Sequence, residues 1–131
     1  MLAVLAVVFA ALAIPPLVAR AAGGEPPDPL PKLAALQSRL LDRAAALAKP
    51  GGLIVYSTCS LEPEEGERQI EALLARNASL ARVPVAAAEV GGIDAFVSAR
   101  GDLRTLPLHL PNQNERLSGC DGFYAARLRL A

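Results

Sequence analysis

The chain has one histidine, His109, no tryptophan and only two cysteines, Cys59 and Cys120, among its 131 residues. Each shortage closes off a kind of chemistry. With a single imidazole, any mechanism that needs a histidine base has one residue to draw on. The two cysteines lie far apart with no histidine or further cysteine at ligand spacing, so neither a disulfide framework nor a zinc site is expected. A reducing compartment is then the simpler setting. Charge of one sign is lacking too: thirteen lysines and arginines balance thirteen acids, and no long-range field draws in a phosphate backbone. Apolar residues, by contrast, make up 53% of the chain, enough to fill the core of one domain at this length.

Met1 to Val18 is apolar without a charge and approaches the roughly 20 residues a membrane-spanning helix needs. Pro15 and Pro16 break such a helix near its end, and no basic residue precedes the apolar run as a secretory signal requires. Ala21 to Pro31 follows with the proline and glycine content of a linker, which sets a boundary between residues 1–31 and residues 32–131. From Lys32, Leu33, Leu36, Leu40, Leu41 and Leu47 recur at helical spacing, with Lys32, Gln37, Arg39 and Asp42 mostly between them. Pro50 and Gly51-Gly52 end that helix. Leu53-Ile54-Val55-Tyr56 is β-prone without polar alternation, as in a strand covered by helices on both faces.

Pro63 suits the first turn of a second helix, and Glu64, Glu65 and Glu67 are favourable beside its positive end. This helix runs to about Asn77, with Ile70, Leu73 and Leu74 facing inward. Ala78 to Arg100 lacks a sustained period and reads mostly as loop. Two strands, Leu103–Leu106 and Phe123–Leu130, close the chain as an antiparallel pair. Helix, strand, helix and a terminal strand pair make an α/β fold, half of a wound sheet.

Thr58, Cys59 and Ser60 fall at the carboxyl end of the predicted central strand, where the ligand crevice of an open α/β sheet lies. A free cysteine is also often just a small buried hydrophobe. The words around it are more specific. YSTCSLEPEE followed by Gly66-Glu67 closely resembles the nucleophile motif of the Nop/Sun family of RNA (cytosine-5) methyltransferases. LAALQSRLLDRAAALAKPGG resembles the helix and turn before that motif, LRTLP the penultimate strand and DGFYAARL the last strand. The resemblance covers about Lys32 to Leu130, roughly the last third of such an enzyme. It implies the C-terminal half of a Rossmann-like class I methyltransferase sheet.

By that resemblance Cys59 is the covalent nucleophile that attacks C6 of a target cytosine, and Thr58 and Ser60 flank it as substrate-pocket residues. Cysteine suits the task because C5 of cytosine is a poor nucleophile until addition at C6 pushes electron density onto it. Glu64 and Glu65 are assigned to the helix cap and Cys120 to structure. The family also implies S-adenosylmethionine as cofactor, RNA, ribosomal RNA foremost, as partner, and a cytoplasmic setting without metal or membrane.

Some family landmarks are missing. The glycine-rich loop after the first strand, the acidic residue after the second and the Asp-Ala-Pro-Cys motif of the fourth do not occur. Gly23-Gly24 and Gly91-Gly92 do not replace that loop, since neither follows a strand and opens a helix. The expectation is therefore a partial catalytic domain, inactive by itself, preceded by residues 1–31 foreign to the family. Its sheet would leave an open edge and apolar surface, and so poor solubility. Two other possibilities carry less: a thiol hydrolase built on Cys59, His109 and Asn112, and a small membrane-attached or exported binding protein directed by Met1 to Val18.

Overall fold

A computed structural model describes the backbone of residues 5–10 and the whole of residues 28–131. Strand β1 (Leu5–Ala10) is followed by helix α1 (Leu30–Leu47), strand β2 (Leu53–Thr58), helix α2 (Glu67–Arg76), the short strands β3 (Leu80–Arg82) and β4 (Leu103–Thr105), and strand β5 (Phe123–Leu130). The sheet order is β1-β2-β5-β3, with β4 also paired to β5. β1 and β2 run parallel, Leu5 opposite Leu53 and Ala10 opposite Thr58, joined by a helical crossover as parallel neighbours require. β5 runs antiparallel to β2, with Thr58 opposite Tyr124.

This is the expected α/β arrangement of helix, strand, helix and closing antiparallel strands, and three details differ from expectation. Leu80–Arg82, inside the stretch read as loop, pairs with Leu128–Leu130, because β5 is long enough to hold β3 and β4 on the same edge in succession. Leu5–Ala10 forms a strand, where the apolar run suggested a helix by its length; Pro15, Pro16 and Gly23-Gly24 lie outside the described residues. Both helices pack on one face of the sheet, so burial along β5 alternates, with Tyr124, Ala126 and Leu128 buried and Phe123, Ala125 and Arg127 only partly so. Leu53 and Val55 of β2 are likewise only partly buried; the expected cover on both faces is not found among the described residues.

The core joins Leu41, Ala44 and Ala45 of α1, Ile70 and Leu73 of α2, and Ile54, Tyr56, Leu80, Tyr124, Ala126 and Leu128 of the sheet. α1 starts where the Asp28 carboxyl oxygen accepts from the Leu30 amide at 2.9 Å, with Pro31 in its first turn. Its buried stripe is Gln37, Leu41, Ala44 and Ala45, whereas Leu36, Leu40 and Leu47, expected inside, are exposed. Leucine spacing alone misplaced the face. At its end the Gly51 turn, at φ +73°, is tied to β5: the Gly51 amide donates to the Leu130 carbonyl at 2.8 Å and the Leu130 amide to the Gly52 carbonyl at 3.1 Å. No helix among the described residues is long and apolar enough to cross a membrane.

Candidate active site

β2 ends at Thr58, and the chain leaves the sheet through Cys59, Ser60 and Leu61 before a turn over 63–66 opens α2. Cys59 is exposed, while Thr58 and Ser60 on either side are buried. The loop is held by its own side chains. Thr58 Oγ1 accepts from the Ser60 amide at 3.1 Å, and Ser60 Oγ accepts from the Glu62 amide at 3.2 Å, short local bonds that serine and threonine supply readily.

A longer tie comes from Arg104 of β4. Its Nη1 donates to the Ser60 carbonyl at 3.0 Å, while Nε and Nη2 hold both Glu67 carboxyl oxygens at 3.0 and 2.8 Å. A bidentate guanidinium fork suits this double duty. Arg104 also stands 5.2 Å from the centre of the Tyr124 ring. Gly66 leaves room for it: a Cβ there would lie 3.0 Å from Arg104 Nη2. Tyr124 in turn donates its hydroxyl to Asp102 at 2.8 Å, and Asp102 pairs with Arg82 at 2.8 Å. Burial raises the Asp102 carboxyl above its ordinary value, against the opposing pull of the Tyr124 hydroxyl and Arg82. The Tyr124 phenol is pushed well above its ordinary range, by burial first and then by Asp102.

Beneath the cysteine loop, Glu65 turns inward and does not cap the helix. Gly66 is the residue that precedes α2, and no side chain caps it. The Glu65 carboxyl is fully buried, with Gln37 Nε2 of α1 donating to its Oε1 at 2.6 Å and the Tyr56 hydroxyl donating to its backbone carbonyl at 2.5 Å. Its Oε2 has no hydrogen-bond partner among the described residues, nor does Gln37 Oε1. A buried acceptor left unpaired costs about 1–3 kcal/mol. Glu64 instead faces outward to Arg68, and Glu67 is the one acid in the first turn of α2. The turn, not the helix, begins at Pro63, which is why the three acids have three different fates.

Cys59 opens onto a cleft of about 610 Å³ at the carboxyl end of β2, bounded by Leu30 and Leu33 of α1 and by Ser60, Leu61, Glu62 and Glu65. Of the residues predicted to form the site, Cys59 and Ser60 line this cleft together. Thr58 does not line it; it braces the loop from inside. His109 and Asn112 are absent from the lining as well. His109 Nδ1 accepts from the Leu106 amide at 3.2 Å and its ring packs 5.4 Å from Phe96, while Asn112 accepts from the Asn114 amide. A hydrolase set is therefore not assembled. Cys120, assigned to structure, donates to the Leu106 carbonyl at 3.2 Å.

The described residues hold no group of three or more histidine, cysteine, aspartate or glutamate side chains placed to bind a metal. Nor do they contain a glycine-rich loop that follows a strand and opens a helix. Gly91 and Gly92, both at φ 75°, sit in the connection after the short 3-10 turn Ala87–Val90. The donor set of the described residues thus does not fit a nucleotide-type cofactor cradle of that kind.

Among solved structures, a methyltransferase homologue from Pyrococcus horikoshii superposes with a TM-score of 0.58 at 26% identity, over 82% of this chain and 34% of that one. NSun6 from the same organism, solved with SFG, shares the fold at a TM-score of 0.53 and 22% identity, over 76% of this chain and 23% of that one. The sheet is thus a partial Rossmann-like methyltransferase fold. Sequence places the chain more closely: the family model for the 16S rRNA methyltransferase RsmB/F matches residues 25–129, and the chain belongs to that family. Ribosomal RNA small subunit methyltransferase F of Cronobacter sakazakii is 37% identical over 98 residues, 75% of this chain and 19% of that protein. Methyltransferase B of Thermus thermophilus is 37% identical over 107 residues, 79% of this chain and 22% of that protein. The chain therefore spans about a fifth of the length of these relatives, less than the third expected from its motifs.

Proposed function

We propose that this chain is the nucleophile-bearing part of an S-adenosylmethionine-dependent ribosomal RNA (cytosine-5) methyltransferase, acting in the cytoplasm, with Cys59 as the nucleophile. The observation that carries it is the placement of Cys59: exposed, at the carboxyl end of β2, in a cleft, between neighbours that are buried and hydrogen-bonded. In the proposed reaction the Cys59 sulfur forms a bond to C6 of cytosine, the C5–C6 double bond opens, and its electrons make C5 nucleophilic. S-adenosylmethionine, held by residues other than the described ones, would supply the methyl group at C5. Loss of the C5 proton then expels the thiolate and restores the ring.

Thr58 and Ser60 serve this step by fixing the loop, Ser60 from the cleft wall and Thr58 from beneath. Because the described residues lack a cofactor cradle, the chain by itself is proposed to be inactive in methyl transfer, the cradle lying in another part of the protein. Calorimetric titration with S-adenosylmethionine, alone and after adding the upstream half of a related enzyme, tests this division. Binding only with the added half is the expected result; saturable binding by the chain alone would contradict it.

A further inference from the structure

Glu65 is held at two points, its backbone carbonyl and one carboxyl oxygen, and leaves the other carboxyl oxygen unused. Its backbone carbonyl is held by the Tyr56 hydroxyl and its Oε1 by Gln37 Nε2. Gln69 adds a third restraint, donating from Nε2 to the Ala34 carbonyl at 3.0 Å and to the Glu64 carbonyl at 2.8 Å, which locks the turn against α1. The nearby arginines are engaged elsewhere, Arg68 by Glu64 and Arg104 by Glu67 and Ser60. Glu65 nevertheless lines the cleft that Cys59 opens onto, and its buried Oε2 has no partner among the described residues. Joining α1 to the turn takes one acceptor, which glutamine would provide as well as glutamate. A second acceptor, rigidly held in a cleft wall, calls for a donor brought by a ligand.

We propose that Glu65 is a specificity-determining residue of this cleft: its free carboxyl oxygen accepts a hydrogen bond from the exocyclic amine of a cytosine ring. Uracil carries a carbonyl oxygen at the same ring position, so two acceptors would face each other and the ring would be rejected. The assignment rests on the proposed role of Cys59, because the two residues share the cleft. It adds to that role a reason why the pyrimidine attacked is one with an amine.

The test uses the whole chain with cytidine 5′-monophosphate and uridine 5′-monophosphate as probes, titrated separately and followed by NMR. The wild-type chain is expected to favour the cytidine nucleotide by about tenfold, the size of discrimination when a hydrogen bond is exchanged for an acceptor clash. In Glu65→Gln the amide oxygen keeps the bond from Gln37 and the amide nitrogen takes the place of Oε2. A donor then stands where an acceptor stood, and the preference is expected to vanish or reverse while the unfolding midpoint stays within a few degrees of wild type. Equal binding of the two nucleotides by the wild-type chain, or an unchanged preference in Glu65→Gln, would overturn the assignment. Covalent capture of 5-azacytidine RNA, compared between wild type and Cys59→Ser, reads the cysteine separately. Capture without nucleotide preference would overturn the Glu65 assignment alone, and absence of both would overturn both.

Discussion

Arg104 is the residue that most directly links the rest of the fold to the cysteine loop. Replacing it with alanine removes the donor to the Ser60 carbonyl and both bonds to Glu67. A loss of about 2 kcal/mol is expected, in the range for hydrogen bonds to charged groups, together with a changed rate of Cys59 alkylation. Urea unfolding and iodoacetamide kinetics measure the two effects, and an unaltered alkylation rate would show that the tie does not shape the loop. Asp102 gives a pH-dependent prediction. Its carboxyl is raised in the folded chain by burial, so the folded state holds the proton more tightly than the unfolded state. Its favourable contribution is complete below the ordinary aspartate value of 3.8 and is lost as pH rises through the raised value. Asp102→Asn should flatten that part of the stability-against-pH curve, whereas an unchanged slope would place the titration elsewhere. At this scale a motif singled out Cys59 and Ser60, which line the candidate cleft. The sequence hid Arg104, Gln37 and Glu65, because their partners lie across the fold: Gln37 and Glu65 are 28 positions apart, and Arg104 and Ser60 are 44 apart.

At the scale of elements, β2 and β5 carry the site, and the two helices press them from one side. Truncating Ile70 or Leu73 on α2, both essentially buried, to alanine should cost about 2–5 kcal/mol, the range for large-to-small changes in a core. The same change at Leu47, exposed on α1, should leave the unfolding midpoint within error. Gly122 joins the cleft loop to the start of β5: a Cβ there would fall 2.4 Å from Leu61 Cδ2. Gly122→Ala should therefore push Leu61 outward and lower stability, measurable by thermal unfolding. The inner face of α2 was readable because isoleucine and leucine follow the helical period without interruption. The inner face of α1 was not. Leucines occupy both of its sides, and the side that packs inward is built from Gln37, Leu41, Ala44 and Ala45. β3 escaped notice because three residues, Leu80–Arg82, are too few to show a period of two; only the partner strand identifies them.

For the molecule as a whole, the described sheet ends at β1 on one side, and Leu36, Leu40 and Leu47 of α1 are exposed at 44%, 42% and 74%. Apolar residues spaced along one helix face invite association. The chain is expected to self-associate with rising concentration, and Leu36→Glu with Leu40→Glu should reduce this in sedimentation without lowering the unfolding midpoint. A wild-type chain that stays monomeric at high concentration would count against that expectation. The architecture was legible in outline because strand, turn and helix signals alternate in the order a wound sheet demands. Its one-sided cover was not, since an apolar strand reads alike whether one face or both are packed. The central chemical claim is that Cys59 adds to C6 of a cytosine ring, and mass spectrometry of the chain after incubation with 5-azacytidine RNA tests it most directly. Nitrogen at position 5 takes up the displaced electron pair and a proton once the sulfur–C6 bond has formed, and denaturing the chain then removes the folded site that would catalyse the reverse elimination, so the adduct persists. The prediction is a denaturation-stable RNA adduct mapped to the Cys59 peptide and absent in Cys59→Ser. An adduct that survives this substitution, or none in the wild-type chain, would contradict it.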